Sequence, residues 1–200
     1  MDSHDVRREW ADRSGEYSPT YYAHYGPDAT SECLLSILDQ YVPRDARVLE
    51  LGCSAGRHLA ALADAGYSNL TGVDVNADAL DVLAETYPNL AETGTFHVAA
   101  IEDYVPELDE EAFDVVFSVE TLQHLHPDVA WVFDDIASIV GELLITVENE
   151  TGEYGAVNYV DDDVPLYYRD WQQVFTDRGL VEVQSTDGKR DTIRAFRPAE

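Results

Sequence analysis

Short apolar runs alternate with stretches of helical periodicity from about residue 46 to the end of the chain. Residues 46–51 (ARVLEL), 69–75, 95–99, 113–119 (FDVVFSV) and 142–147 (ELLITV) have the length and apolar content of buried strands. Leu59, Leu62 and Ala63 mark a helix after the first run. Leu80, Leu83, Ala84 and Tyr87 mark another, with Asn76 as its N-cap. Val129, Val132, Phe133, Ile136 and Val140 line a third, started by Pro127 and Asp128, and Trp171, Val174 and Phe175 a fourth. Residues 180–184 and 191–197 form a closing hairpin through Asp187-Gly188. Strands alternating with helices predict crossover units. The expected fold is α/β and doubly wound: a mostly parallel seven-stranded sheet, helices on both faces, last strand antiparallel.

Two stretches fall outside this rhythm. Residues 1–29 are polar and aromatic, with Trp10, Tyr17, Tyr21, Tyr22, His24 and Tyr25 ahead of Gly26-Pro27. They read either as a lid, with Tyr22 and Tyr25 as its contacts, or as an extra helix packed on the sheet. Residues 30–200 form the domain proper, opened by a helix on Leu34, Ile37, Leu38 and Tyr41. Residues 149–166 are a long connection, a kind commonly functional or mobile.

Composition narrows the picture. The 200 residues suit one domain, and 45% hydrophobic content is too high for a disordered chain. Forty acidic residues against 12 basic ones give a net charge of −28, and Lys189 is the single lysine. The acidity is spread along the chain, a composition that resembles proteins of salt-loving archaea, whose self-repulsion is screened within about 3 Å at 1 M salt. No basic stripe exists to follow a phosphate backbone; Arg190, Arg194 and Arg197 come nearest, so nucleic acid is disfavoured. The charged first ten residues contain no signal-like apolar core, and no run approaches the ~18–20 apolar residues of a membrane span. Cys33 and Cys53 have neither metal-ligand spacing nor a disulfide framework. The expectation is a soluble, cytoplasmic protein without a metal. Asp161-Asp162-Asp163 lacks the alternation and glycine of a calcium loop and reads as a solvated bend. Nothing in the sequence sets an oligomeric state.

The chemistry centres on Val48-Leu49-Glu50-Leu51-Gly52-Cys53-Ser54-Ala55-Gly56. A strand delivers the chain to a turn whose glycines permit close approach, and the next helix aims its free N–H groups at whatever fills the notch. Asp74 closes the second run, where a carboxylate accepts hydrogen bonds from both hydroxyls of a ribose. Together they read as a site for a nucleoside cofactor with an anionic arm.

These segments resemble the class I S-adenosylmethionine-dependent methyltransferases. Residues 48–56 match the family's first motif, Gly72-Val73-Asp74-Val75 its ribose-binding acid, residues 113–118 its fourth-strand motif and residues 121–125 (TLQHL) the segment that follows. The resemblance runs from about residue 30 to 197. It implies S-adenosyl-L-methionine as cofactor and in-line transfer of its methyl group to a small-molecule acceptor, at oxygen or nitrogen. It also implies that Glu50 anchors the glycine loop or reaches the methionine amine. Gly52, Cys53, Ser54, Gly56 and Ser118 approach the cofactor, Asp74 holds the ribose and Val75 flanks the adenine. Where the family often has an acid after the third strand this chain has Ala100, so Ile101, Glu102 and Asp103 take over the adenine contacts.

Three other readings compete. Gly52-Cys53-Ser54-Ala55-Gly56 fits the nucleophile elbow of hydrolases, which needs a histidine after the late strands, and His126 is the last in the chain. A dinucleotide site would want G-x-G-x-x-G rather than G-x-x-x-G. The third is a cofactor-binding module without catalysis, since fold does not prove activity. Methyl transfer needs mainly orientation, with a base for hydroxyl or ammonium acceptors. His124 is the candidate base, or else it packs beside the cofactor. Tyr167, Tyr168 and Arg169 are further acceptor-site candidates.

Overall fold

The computed structural model describes residues 1–160, 164–188 and 190–199; the run at 161–163 lies outside them. Three helices precede the sheet: α1 (Ser3–Ala11), α2 (Pro19–Tyr25) and α3 (Ala29–Tyr41). The alternating part follows as β1 (Arg47–Leu51), α4 (Arg57–Asp64), β2 (Asn69–Asp74), α5 (Asp78–Thr86), α6 (Pro88–Thr93), β3 (Thr95–Val98), α7 (Ile101–Tyr104), β4 (Phe113–Val119), α8 (Val132–Ser138) and β5 (Val140–Asn149). Then come β6 (Val157–Val160), β7 (Val164–Tyr167), α9 (Trp171–Thr176), β8 (Leu180–Asp187) and β9 (Asp191–Pro198).

The sheet has seven strands in the order β3-β2-β1-β4-β5-β9-β8. The first five are parallel, and β9 runs antiparallel to β5. The winding reverses between β1 and β4, where a crevice opens beyond their carboxyl ends. Successive residues of β1 and β4 point to opposite faces, and both faces are covered. Val48, Val115, Phe117, Leu143 and Ile145 pack under α3 and α4, while Leu49, Leu51, Val116 and Leu144 pack under α8 and α9. That double burial explains why these strands read as continuous apolar runs. Under the second layer Phe133 meets Trp171 and Phe175 edge-to-face, and Phe175 meets Phe196 at a tilt.

Three local expectations change. Val140 belongs to β5, which starts two residues before the expected run, so α8 ends at Ser138. On α5 the buried residues are Ala79 and Leu83, with Ala84 exposed, because the helix begins at Asp78 and Asn76 Oδ1 accepts only the Asp78 amide. The long connection after β5 contains a small antiparallel hairpin, β6–β7, paired apart from the main sheet. No helix among the described residues is long and apolar enough to cross a membrane.

Candidate functional site

β1 delivers Glu50 to the centre of the sheet and then turns through left-handed residues at Gly52 (φ 75°), Ser54 (φ 47°) and Gly56 (φ 74°). A side chain at Gly52 would strike Thr121, its Cβ only 2.3 Å from the Thr121 Oγ1. The glycine loop and the turn after β4 therefore touch directly. Gly56 has another task. A Cβ there would meet Leu83 Cδ1 at 2.7 Å, so its bareness lets α4 settle on α5, and it does not border the cleft.

The cleft over these loops encloses about 1110 Å³ including its open mouth. Of the residues expected at the site, Glu50, Gly52, Cys53, Ser54, Asp74, Val75, Ile101, Glu102, His124 and Tyr22 line it. Five do not. Besides Gly56, Ser118 is fully buried, its hydroxyl donating to Glu148 Oε1 at 2.8 Å. Asp103 points to the surface and pairs with Arg7 of α1 at 2.6 Å. Tyr25 is 62% exposed on the outer side of α2. Tyr168 packs its ring on Gly152 and accepts a hydrogen bond from Asn158 Nδ2.

Two carboxylates set the inner wall. Glu50 is wholly buried, and burial holds its carboxyl well above the usual range, with nearby Arg57 acting in the opposite sense. Its Oε2 has no hydrogen-bond partner. Asp74 is already engaged, accepting the amides of Ser54 and Asn76, each at 2.8 Å. It locks the glycine loop to the end of β2 and keeps spare lone pairs on both oxygens. Past the end of β3, Ala100 is buried at the start of α7, and Ile101 and Glu102 take the adjoining wall.

The opposite wall is the turn after β4. His124 is 7% exposed; its Nδ1 lies 2.9 Å from the Pro165 carbonyl, which accepts and so fixes the proton on Nδ1. The Nε2 keeps its lone pair, approached at 3.4 Å by the Gln123 amide. Burial pushes the imidazole down to about 4, the Pro165 carbonyl pulling the other way. Glu120, at the end of β4, holds a left-handed φ of 49° and also lines the cleft.

The N-terminal segment roofs the opening. Trp10, Arg13, Tyr17 and Tyr22 line it, and the Trp10 ring lies 4.7 Å from that of His124. Asn76 Nδ2 donates to the carbonyls of Trp10 and Arg13, tying the segment to β2. Arg57 pairs with Asp28 at 2.8 Å and stacks over Tyr22. His58 is buried, with Nδ1 against the Ser31 hydroxyl at 2.8 Å and Nε2 unpartnered. Neither His58 nor His124 makes a hydrogen bond to Ser54 among the described residues, so no nucleophile triad forms. Arg57, His58, Glu120 and Glu148 escaped the sequence reading, because they look like ordinary helix and strand positions; Trp10 is named there only as part of the aromatic N-terminal segment.

The strand order and the cleft beyond the carboxyl ends of β1 and β4 give the chain the fold of the class I S-adenosylmethionine-dependent methyltransferases. Residues 48–142, just under half the chain, match the model of a family described as a methyltransferase domain. An O-methyltransferase of Pyrenophora dematioidea is 26% identical over 99 residues, covering 49% of this chain and 37% of its own length. A ubiquinone biosynthesis O-methyltransferase of Actinobacillus pleuropneumoniae is 31% identical over 111 residues, covering 52% of this chain and 47% of its own. The chain thus spans less than half the length of these two relatives. Geranyl diphosphate C-methyltransferase from Streptomyces coelicolor, solved with S-adenosyl-L-homocysteine, superposes with a TM-score of 0.75 over 98% of this chain and 97% of its own, at 12% identity. The shared fold is that of S-adenosylmethionine-binding enzymes.

The residues present suit that cofactor. The unpaired Glu50 oxygen is an acceptor awaiting a donor such as an ammonium, Asp74 has lone pairs for ribose hydroxyls, and Val75 with Ile101 offers apolar surface to a purine. Among the described residues no cluster of His, Cys, Asp or Glu could hold a metal.

Proposed function

We propose that this domain transfers the methyl group of S-adenosylmethionine to a hydroxyl of a small-molecule acceptor. The observation that carries this reading is the His124 tautomer: with Nδ1–H given to Pro165, Nε2 carries the lone pair, met only by the Gln123 amide at 3.4 Å, on a residue of the cleft wall. The names of the two relatives point the same way. The cofactor, when bound, supplies a methyl on a positive sulfur that is already a good leaving group. The chain's task is to hold both partners in line and exclude water, which can supply up to roughly 7–11 kcal/mol. Glu50 takes the ammonium and Asp74 the ribose; Trp10 and Tyr22 close the roof over the reacting centre. His124 accepts the hydroxyl proton as the oxygen gains carbon. Its low basicity keeps it in the acceptor form throughout neutral pH.

The experiment is calorimetric titration of S-adenosylmethionine and S-adenosylhomocysteine in molar potassium chloride. Both bind at micromolar concentration or tighter, and Asp74→Ala, which loses the ribose acceptor and frees the glycine loop, abolishes binding. His124→Ala leaves binding intact and slows methyl transfer by roughly a hundredfold or more. Absence of binding by the folded wild-type protein refutes the reading.

A further inference from the structure

The turn that carries His124 is gripped from two sides, by a carboxyl group and by a guanidinium; burial pushes the carboxyl of Glu148 up to about 7, against the hydrogen bonds it accepts from Ser118 and the turn. On its N–H side stands Glu148 of β5, fully buried. Glu148 Oε1 accepts the Ser118 hydroxyl at 2.8 Å and the Leu122 amide at 3.1 Å, and Oε2 accepts the Gln123 amide at 3.1 Å. On its carbonyl side stands Arg169, just past β7. Its guanidinium donates to the carbonyls of Leu122, at 3.3 Å, and Leu125. Phe133, Tyr167 and Trp171 surround the guanidinium, with ring centroids 5.3–5.5 Å away. The two side chains form no direct ion pair among the described residues; the peptide groups of the turn lie between them.

Burying two charges costs several kcal/mol each unless hydrogen bonds and mutual attraction offset it. Leu122, Gln123 and His124 are themselves buried, so the clamp satisfies peptide groups of the turn that water does not reach. What the clamp adds is placement. The segment that carries Arg169 also carries Pro165, whose carbonyl takes the Nδ1 proton of His124. On the other flank, Gln123 Oε1 accepts the Asn149 amide at 2.7 Å, one residue beyond Glu148, which turns the Gln123 NH2 toward His124 Nε2. Both ring nitrogens are therefore assigned by groups whose distance from the imidazole depends on where the turn sits.

We propose that Arg169 and Glu148 are positioning residues: by hydrogen-bonding the turn from its carbonyl side and its N–H side, they seat His124 against Pro165 and so keep its Nε2 unprotonated for the acceptor hydroxyl. The proposal rests on the role given to His124 above. It assigns Arg169 a place behind the turn rather than against the acceptor.

Long-range proton–nitrogen NMR of the histidine rings reads the tautomer directly and needs no acceptor. Wild type shows His124 as the Nδ1–H form at neutral pH. Arg169→Met and Glu148→Gln shift the tautomer ratio toward Nε2–H by roughly five- to tenfold, about the worth of one hydrogen bond. Arg169→Lys, which keeps the charge and part of the carbonyl contact, falls between and tests the idea should the other two fail to fold. Calorimetric affinity for S-adenosylhomocysteine stays at the wild-type value in every folded variant. An unchanged tautomer in folded Arg169→Lys and Arg169→Met, or a wild-type His124 protonated on Nε2, overturns the proposal. A wild-type protein that binds no S-adenosylhomocysteine overturns the functional reading instead, while the tautomer still judges the clamp.

Discussion

His58 shows how much a single buried side chain sets. In the unfolded chain its imidazole takes a proton near pH 6.5; burial, helped by Arg57, pushes that down to about 3 in the fold. The unfolded state then binds more protons across this window, so His58 makes stability rise with pH through it. His58→Gln removes that contribution. In urea unfolding, the stability advantage of wild type over the variant narrows as the pH is lowered from about 7 to about 4; a constant difference would contradict the assignment. Gly52 is the counterpart where space decides. Gly52→Ala combines a left-handed backbone with a collision against Thr121, and costs about 2–5 kcal/mol by the same measurement. The sequence made Gly52, Asp74 and His124 legible because a turn, a strand end and a motif each constrain residue type locally. It made Gly56 look like a cofactor contact because a glycine required for helix packing and one required for ligand approach are the same letter. Glu148 was hidden for a related reason: an acid at the end of an apolar strand reads as solvent-facing until the turn that folds over it is seen.

At the scale of elements, the parallel core was written plainly in the alternation of apolar runs, and the periphery was not. The β6–β7 hairpin has little buried surface on β6, where Val157 and Tyr159 are exposed, so no alternation announced it. Its definition comes from long-range contacts, above all Pro165 with His124. The helix α1 is likewise defined by what it meets: an Asp2–Asp5 capping box starts it, and Arg7 and Trp10 dock it on Asp103 and His124. It buries only Val6, so its hold on the cleft is modest. If α1 closes over bound cofactor, amide hydrogen exchange in residues 3–11 slows on adding S-adenosylhomocysteine while exchange in α9 does not change. Equal exchange in α1 with and without ligand would make it a fixed packing element.

For the molecule as a whole, a net charge of −28 is the dominant electrostatic fact. Several arginines are committed to local carboxylates, as in Arg44–Asp39, Arg178–Asp134 and the pair of contacts from Arg194 to Glu150 and Glu182. They leave the wider field of the acidic surface uncancelled. Raising potassium chloride from about 0.1 M to 1 M shortens the screening length from about 10 Å to 3 Å and raises the thermal unfolding midpoint. A midpoint that falls with salt would mean the local arginine pairs outweigh the overall repulsion.

The arrangement of the cleft has a consequence for where the chain tolerates change. Its inner floor is built from β1, β2 and the loops that lock them, whereas the outer walls come from α1, α2 and the turn after β4, which the β6–β7 hairpin backs through Pro165. The floor is bound into the central strands, so change there is paid in folding. The walls hang from the sheet at its margins, where a substitution disturbs the central packing least.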